Sequence, residues 1–173
     1  MEFQTATRLQ PEALPPYVNA ALAYNALGQN DKAEASLRSA LRLDPTNAPA
    51  QLNLGMLLAE MGKLSDAEQA FRAAFQANPR SAQAAKNLGV LLAEDHPEEA
   101  LEWCRRAVDV GRDNPQYGYT YAFYLHRAGR LEPALQAIRS VRERHPGHED
   151  SAQFEQALLR EQKSEEKKPS PKN

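Results

Sequence analysis

Leu52 to Glu60 reads LNLGMLLAE, and Lys86 to Glu94 reads KNLGVLLAE, an offset of 34 residues. Within the first copy, Leu54, Leu57, Leu58 and Met61 recur at i, i+3, i+4 and i+7, which puts them on one helical face. Gly62 breaks that helix by supplying positive φ. Ala67, Ala70, Phe71 and Ala74 then mark a second helical face, which ends before Pro79 because proline cannot continue a helix.

The same interval runs outward in both directions. Pro11, Pro45 and Pro79 are 34 residues apart, as are Ala21, Gly55 and Gly89. Ala33 and Ala67, and Ala40 and Ala74, keep the same spacing. After Glu94 the frame slips by one residue, with DHPEEA standing where the preceding unit has MGKLSDA. Ala100, Ala107, Ala122 and Ala134 carry the small columns onward to Pro146. Small residues at fixed columns let two antiparallel helices approach closely. Glycine at Gly28, Gly62 and Gly129 is expected to close each first helix, and Asp95-His96-Pro97 does so in the third unit.

Composition narrows the functional classes. The chain of 173 residues is 42% hydrophobic and 25% charged, a balance that supports a packed core. Helix formers dominate and β-branched residues are scarce, so an all-α fold is expected. A net charge of −2 offers no bulk attraction to nucleic acid or an anionic membrane. The single Cys104 rules out an internal disulfide and the common multi-cysteine zinc sites. No apolar run is long enough to span a bilayer. The opening MEFQTATRLQ lacks the apolar stretch of a secretory signal, which says little for a piece of a longer protein; the cytoplasm is the expected compartment, with a targeting segment elsewhere in the parent left open.

The 34-residue period, the helix–turn–helix unit, the small columns and the closing proline resemble the tetratricopeptide repeat. Leu54-Gly55, Ala67, Phe71, Ala74 and Pro79 carry the resemblance most fully. Individual units depart from it: Leu37, Cys104 and Ile138 stand in the aromatic column, and Val141 stands where alanine is usual. The resemblance implies a right-handed α-solenoid of antiparallel helix pairs, with units at 14–47, 48–81, 82–114 (one residue short) and 115–148. Phe3, Ala6 and Pro11 stand 34 residues before Leu37, Ala40 and Pro45. Residues 1–13 therefore read as the second helix of a truncated preceding repeat, as in a piece of a longer protein. Residues 149–163 read as a capping helix whose Phe154, Leu158 and Ala157 face the last repeat, since a bare solenoid end would expose its core. Residues 164–173 read as a disordered tail.

In such a superhelix the first helix of each pair lines a concave groove. Asn19, Asn53 and Asn87 fall there at intervals of 34, followed by Thr120. An amide carries both a donor and an acceptor, so it can bond the N–H and C=O of a peptide main chain. This resembles the asparagine ladder in the repeats of the O-linked N-acetylglucosamine transferase; the competing reading is that these amides only bridge adjacent helices. Neighbouring groove positions are Val18, Leu22, Leu52, Met56, Lys86, Val90, Tyr119 and Phe123, mostly apolar and suited to an amphipathic helix or an extended apolar segment. Some of them could instead pack between repeats. Tyr119 and Phe123, left over from the crowded YGYTYAFY helix, face either the groove or the terminal helix. The family's two-carboxylate clamp needs basic residues where Val18, Leu22, Gln83 and Thr120 stand, so that role is not expected.

No nucleophile with a base and an orienting group is evident, nor a phosphate loop, so no catalysis is expected. His145 and His148 lie at a repeat boundary beside Glu149 and Asp150, where acidic residues favour a helix start anyway, and no metal or other cofactor is expected. RNA reading needs a basic groove, and only Lys86 and Arg127 are offered. The expected function is a scaffold that binds a protein or peptide in the groove. Self-association of two copies is the competing reading.

Overall fold

The computed structural model describes residues 14–166, with side chains from Tyr17 onward. The expectations for residues 1–13 and for 167–173 fall outside the described residues. Among those described there are nine α-helices and no strand: α1 (Leu14–Ala26), α2 (Asn30–Leu43), α3 (Ala48–Glu60), α4 (Leu64–Ala77), α5 (Ala82–Leu92), α6 (Pro97–Val110), α7 (Pro115–Arg127), α8 (Leu131–Arg144) and α9 (Glu149–Glu166). None is long and apolar enough to cross a membrane. Helix α9 extends three residues past 163, into the stretch expected to be a tail.

Local chemistry explains the hairpins. Gly28, Gly62 and Gly129 adopt φ of 69°, 74° and 72°. At the second of these, the Gly62 N–H bonds the Ala59 carbonyl at 3.0 Å and the Lys63 N–H reaches back to Leu58 at 2.9 Å. The same two bonds recur at Gly28-Gln29 and at Gly129-Arg130. A side chain in that left-handed conformation would be strained, so glycine fixes where each first helix stops. The third hairpin has no glycine: the His96 N–H bonds the Leu92 carbonyl at 2.8 Å and Pro97 opens α6. At the next kind of boundary, the Asn47 side chain accepts from the Ala50 N–H at 3.0 Å and caps α3. In the turn before it, the Thr46 hydroxyl and N–H both donate to Asp44, holding that carboxyl below its ordinary range.

The chain divides into two compact units, Met1–Leu91 and Leu92–Asn173. The division falls within α5. In the first unit α1 packs on α2, α2 on α3 and α3 on α4. Its core holds Ala33, Leu37 and Ala40 from α2, Leu54, Leu57 and Leu58 from α3, and Ala67, Ala70, Phe71 and Ala74 from α4. The glycine of the quoted stretch has a specific partner: a Cβ added at Gly55 would lie 2.5 Å from Cδ1 of Phe71. The aromatic ring occupies the space that the missing side chain leaves. Ala67 is fully buried in the same helix pair. Replacing it with leucine is expected to cost about 1–3 kcal/mol through overpacking, read as a lowered urea midpoint. At the α2–α4 edge, Glu34 pairs with Lys63 at 2.8 Å and with Arg38 at 2.8 Å. The Lys63 hydrogen bond is the largest influence and, with Arg38 helping, holds the Glu34 carboxyl below its ordinary range despite the opposing effect of burial.

In the second unit α6 packs on α7, α7 on α8 and α8 on α9. Leu101, Ala122, Leu125, Ala134, Leu135, Ile138 and Leu158 form its buried cluster. Cys104 is buried in the aromatic column of α6. The valine at the usual alanine column is matched by a second glycine: a Cβ on Gly118 would lie 2.3 Å from Cγ2 of Val141. Helix α9 docks through Leu158 and Phe154, with Ala157 exposed rather than facing the repeat. Glu155 takes a buried position between Arg139, at 3.2 Å, and Arg142. His148 starts this helix, its Nδ1 accepting from the N–H of Ser151 at 3.3 Å and lying 2.7 Å from the Ser151 hydroxyl. That is the geometry of a helix cap.

Candidate functional site

In the first unit, α3 has α1 on one side and α5 on the other. The Asn25 amide of α1 donates to Glu60 of α3 at 3.4 Å, and the Gln83 amide of α5 lies 3.4 Å from the sulfur of Met56. The three first helices are thus neighbours in chain order. Each presents the same triplet one turn long: Val18, Asn19 and Leu22 on α1, Leu52, Asn53 and Met56 on α3, and Lys86, Asn87 and Val90 on α5. Spacing of i, i+1 and i+4 keeps each triplet together on its helix.

These side chains reach solvent. Leu22 is 50% exposed and Val90 42%, unusual for apolar side chains that pack between helices. Asn19 is exposed, while Val18, Leu52, Asn53, Met56, Lys86 and Asn87 are half-buried. A shallow cavity of about 290 Å³ brings Met56, Lys86, Asn87 and Val90 together with Ala59, Glu60, Phe71, Gln83 and Leu91. Leu52 and Asn53 lie on the same face but outside that cavity. Gln83 and Glu60 were not expected as site residues. Gln83 stands three residues before Lys86 and four before Asn87, so the face that holds them holds it too.

Asn25 bonds Glu60, and Asn30 at the start of α2 forms no side-chain bond among the described residues; the other described asparagines separate into two groups. In the turns, Asn47 caps α3, Asn78 accepts from the Arg80 N–H at 3.1 Å, and Asn114 accepts from the Gln116 N–H at 3.0 Å. On the first-helix face, the side chains of Asn19, Asn53 and Asn87 form no hydrogen bond among the described residues. The reading in which they bridge neighbouring helices therefore finds no bond to support it.

The second unit does not continue the pattern. Thr120, placed in the ladder column by spacing, is only 9% exposed. Its hydroxyl donates to the carbonyl of Gln116, one turn earlier on α7, at 2.7 Å. A threonine hydroxyl is close enough to its own backbone to make this bond, whereas an asparagine amide extends beyond it. Thr120 therefore leaves the candidate set. Tyr119 and Phe123 meet the terminal helix: their ring centroids lie 5.4 Å and 6.3 Å from that of Phe154. Tyr119 also lies 6.3 Å from His148, and Phe123 lies 5.3 Å from Tyr124. Of the two readings of these aromatics, packing on the capping helix is the one realised, with Phe123 left 36% exposed at the margin. Burial, with a smaller contribution from Cys104, raises the Tyr124 phenol above its ordinary range.

Comparison with known proteins agrees with this architecture. A family model described as tetratricopeptide repeat matches residues 52–117, and one described as TPR repeat matches residues 21–62. Between them they take in more than half of the chain. No curated protein sequence matches. Among solved structures, the chain is similar to YrrB, a TPR protein with an unusual peptide-binding site, at 24% identity and a TM-score of 0.76, covering 94% of this chain and 84% of that one. It is similar to pilF of Pseudomonas aeruginosa at 20% identity and a TM-score of 0.81, covering 95% and 75%. It is also similar to MamA, residues 41 to the end, of Desulfovibrio magneticus RS-1 at 21% identity and a TM-score of 0.73, covering 84% and 83%. At these identities the likeness speaks for the fold alone. With its helix pairs, glycine closures and 34-residue columns, the chain belongs to the tetratricopeptide-repeat family, whose fold is an α-solenoid and whose members are protein-interaction scaffolds.

Proposed function

We propose that the face formed by α1, α3 and α5 binds a peptide segment of a protein partner, with Asn53 and Asn87 bonding its main chain and Asn19 extending the row. One observation carries this reading: three amides at equal sequence intervals, one exposed and two half-buried, form no bond among the described residues, while Asn47, Asn78 and Asn114 in the turns are bonded. Val18, Leu22, Leu52, Met56 and Val90 supply apolar contacts beside the amides. Lys86 adds a charge. Tyr119 and Phe123 belong to the support of α9 and are not part of the site.

The alternative, self-association, would use the same exposed Leu22 and Val90. Light scattering separates the two: a mass that stays at one chain over a hundredfold concentration range favours peptide capture.

The test is a substitution that leaves the fold alone. The Asn53→Ala, Asn87→Ala double variant is expected to keep the parent melting temperature, because neither amide forms a bond among the described residues. It should lose about 2 kcal/mol of affinity, about thirtyfold, for a peptide selected on the parent chain from a displayed random library. Equal affinity of parent and variant, measured by fluorescence anisotropy, would remove the ladder from the mechanism.

A further inference from the structure

The peptide reading leaves the chemistry of the bound segment open. We propose, resting on that reading, that the segment carries an acidic side chain, Asp or Glu, which seats on Lys86 between apolar neighbours. The column that holds Val18 on α1 and Leu52 on α3 is apolar and becomes cationic at Lys86 on α5.

The Lys86 residue as a whole is half-buried, and no carboxylate among the described residues forms an ion pair with its ammonium group. In the same unit, Lys63 pairs with Glu34 at 2.8 Å and Arg72 with Glu68 at 2.7 Å, while Lys32, Arg42 and Arg80 form no ion pair among the described residues but are exposed. Glu60 is the one carboxylate lining the cavity that holds Lys86, and it accepts from Asn25 on the opposite side. An ammonium group gains a charge-assisted hydrogen bond when a ligand brings a carboxylate to it. Met56 and Val90 flank it in the cavity and ask for apolar groups on either side of that acid. An internal side chain fits better than a carboxyl terminus. Asn87 stands beside Lys86 on the same turn, and an amide that bonds both N–H and C=O requires main chain that continues past the lysine.

The experiment uses the full chain and a phage-displayed random nonapeptide library fused through the peptide's C-terminus, so that no free terminal carboxyl is present. The recovered pool should be enriched in Asp and Glu. For a selected peptide, changing the acid to its amide, or Lys86→Met in the protein, should each weaken binding about fivefold, the two changes together no further. Lys86→Glu should shift the enrichment to Lys and Arg. A pool that depends on Asn53 and Asn87 but shows no acidic enrichment overturns this proposal and leaves the peptide reading standing. So does acid dependence that appears only in a second library with free carboxyl termini. A pool indifferent to the Asn53→Ala, Asn87→Ala variant, or no pool at all, overturns both. Circular dichroism melts guard the Lys86 variants; should one fail to fold, the acid-to-amide peptide series on the parent chain decides alone.

Discussion

Phe71→Ala is expected to lower the unfolding free energy by about 3–5 kcal/mol, the largest effect of any single substitution in the first unit. The ring is almost fully buried in α4 and fills the space beside Gly55 of α3. Truncation removes the transfer free energy of the ring and leaves a cavity that two helices held by flanking repeats cannot close. The same geometry predicts a change of sign at the glycine. In the parent chain, Gly55→Ala places a Cβ 2.5 Å from the Phe71 ring and should destabilise by about 1–3 kcal/mol through overpacking. In the Phe71→Ala background the obstruction is gone, and the same change should stabilise by up to about 1 kcal/mol, the helix-propensity advantage of alanine over glycine. Urea unfolding of the four proteins, followed by circular dichroism at 222 nm, measures the cycle. A Gly55→Ala effect of the same sign in both backgrounds would show that the two residues do not share that space.

Leu158→Ala should destabilise the second unit by about 2–5 kcal/mol, whereas Glu155→Ala should cost about 1 kcal/mol or less. Both residues are buried where α9 meets α8, and magnitude decides between them. Leu158 joins Leu135 and Ile138 in an apolar cluster and has no other environment to move to. Glu155 is 8% exposed, but its partners Arg139 and Arg142 are themselves largely exposed and can return to water when the carboxylate is removed. No buried charge is left unpaired, which is the condition that makes breaking a buried ion pair costly. Comparable losses for the two variants would mean that the arginines depend on the carboxylate more than their exposure suggests.

Much of the architecture was legible because the features that set it are local. Gly28, Gly62 and Gly129 close their helices through a backbone conformation that only glycine takes readily, and Asn47 caps α3 with its own side chain. The Gly55–Phe71 fit was half visible, since both columns recur, although only the coordinates show the ring against the missing Cβ. The Gly118–Val141 pair was not visible: two departures from the repeat, on different helices, compensate each other, and neither signals the other in sequence. Glu155 was also hidden, because a carboxylate on a capping helix reads as solvated until two arginines of α8 are placed beside it. At the site, spacing put Thr120 in the ladder column, but spacing cannot show that a hydroxyl will turn back to the carbonyl at i−4. The aromatics of α7 were left between two readings by their number alone. Phe154, one helix turn into α9, is what places Tyr119 and Phe123 in the packing of the terminal helix.

Peptide capture depends on asparagines whose amides form no bond among the described residues and are therefore available to a ligand. The most direct test is the NMR titration of the side-chain NH2 signals with a peptide selected on the parent chain. Saturation should shift the Asn53 and Asn87 amide protons and slow their exchange with water, with Asn47 and Asn78 unchanged. Saturable binding that leaves the Asn53 and Asn87 signals in place, with shifts confined to α2 and α4, would contradict it.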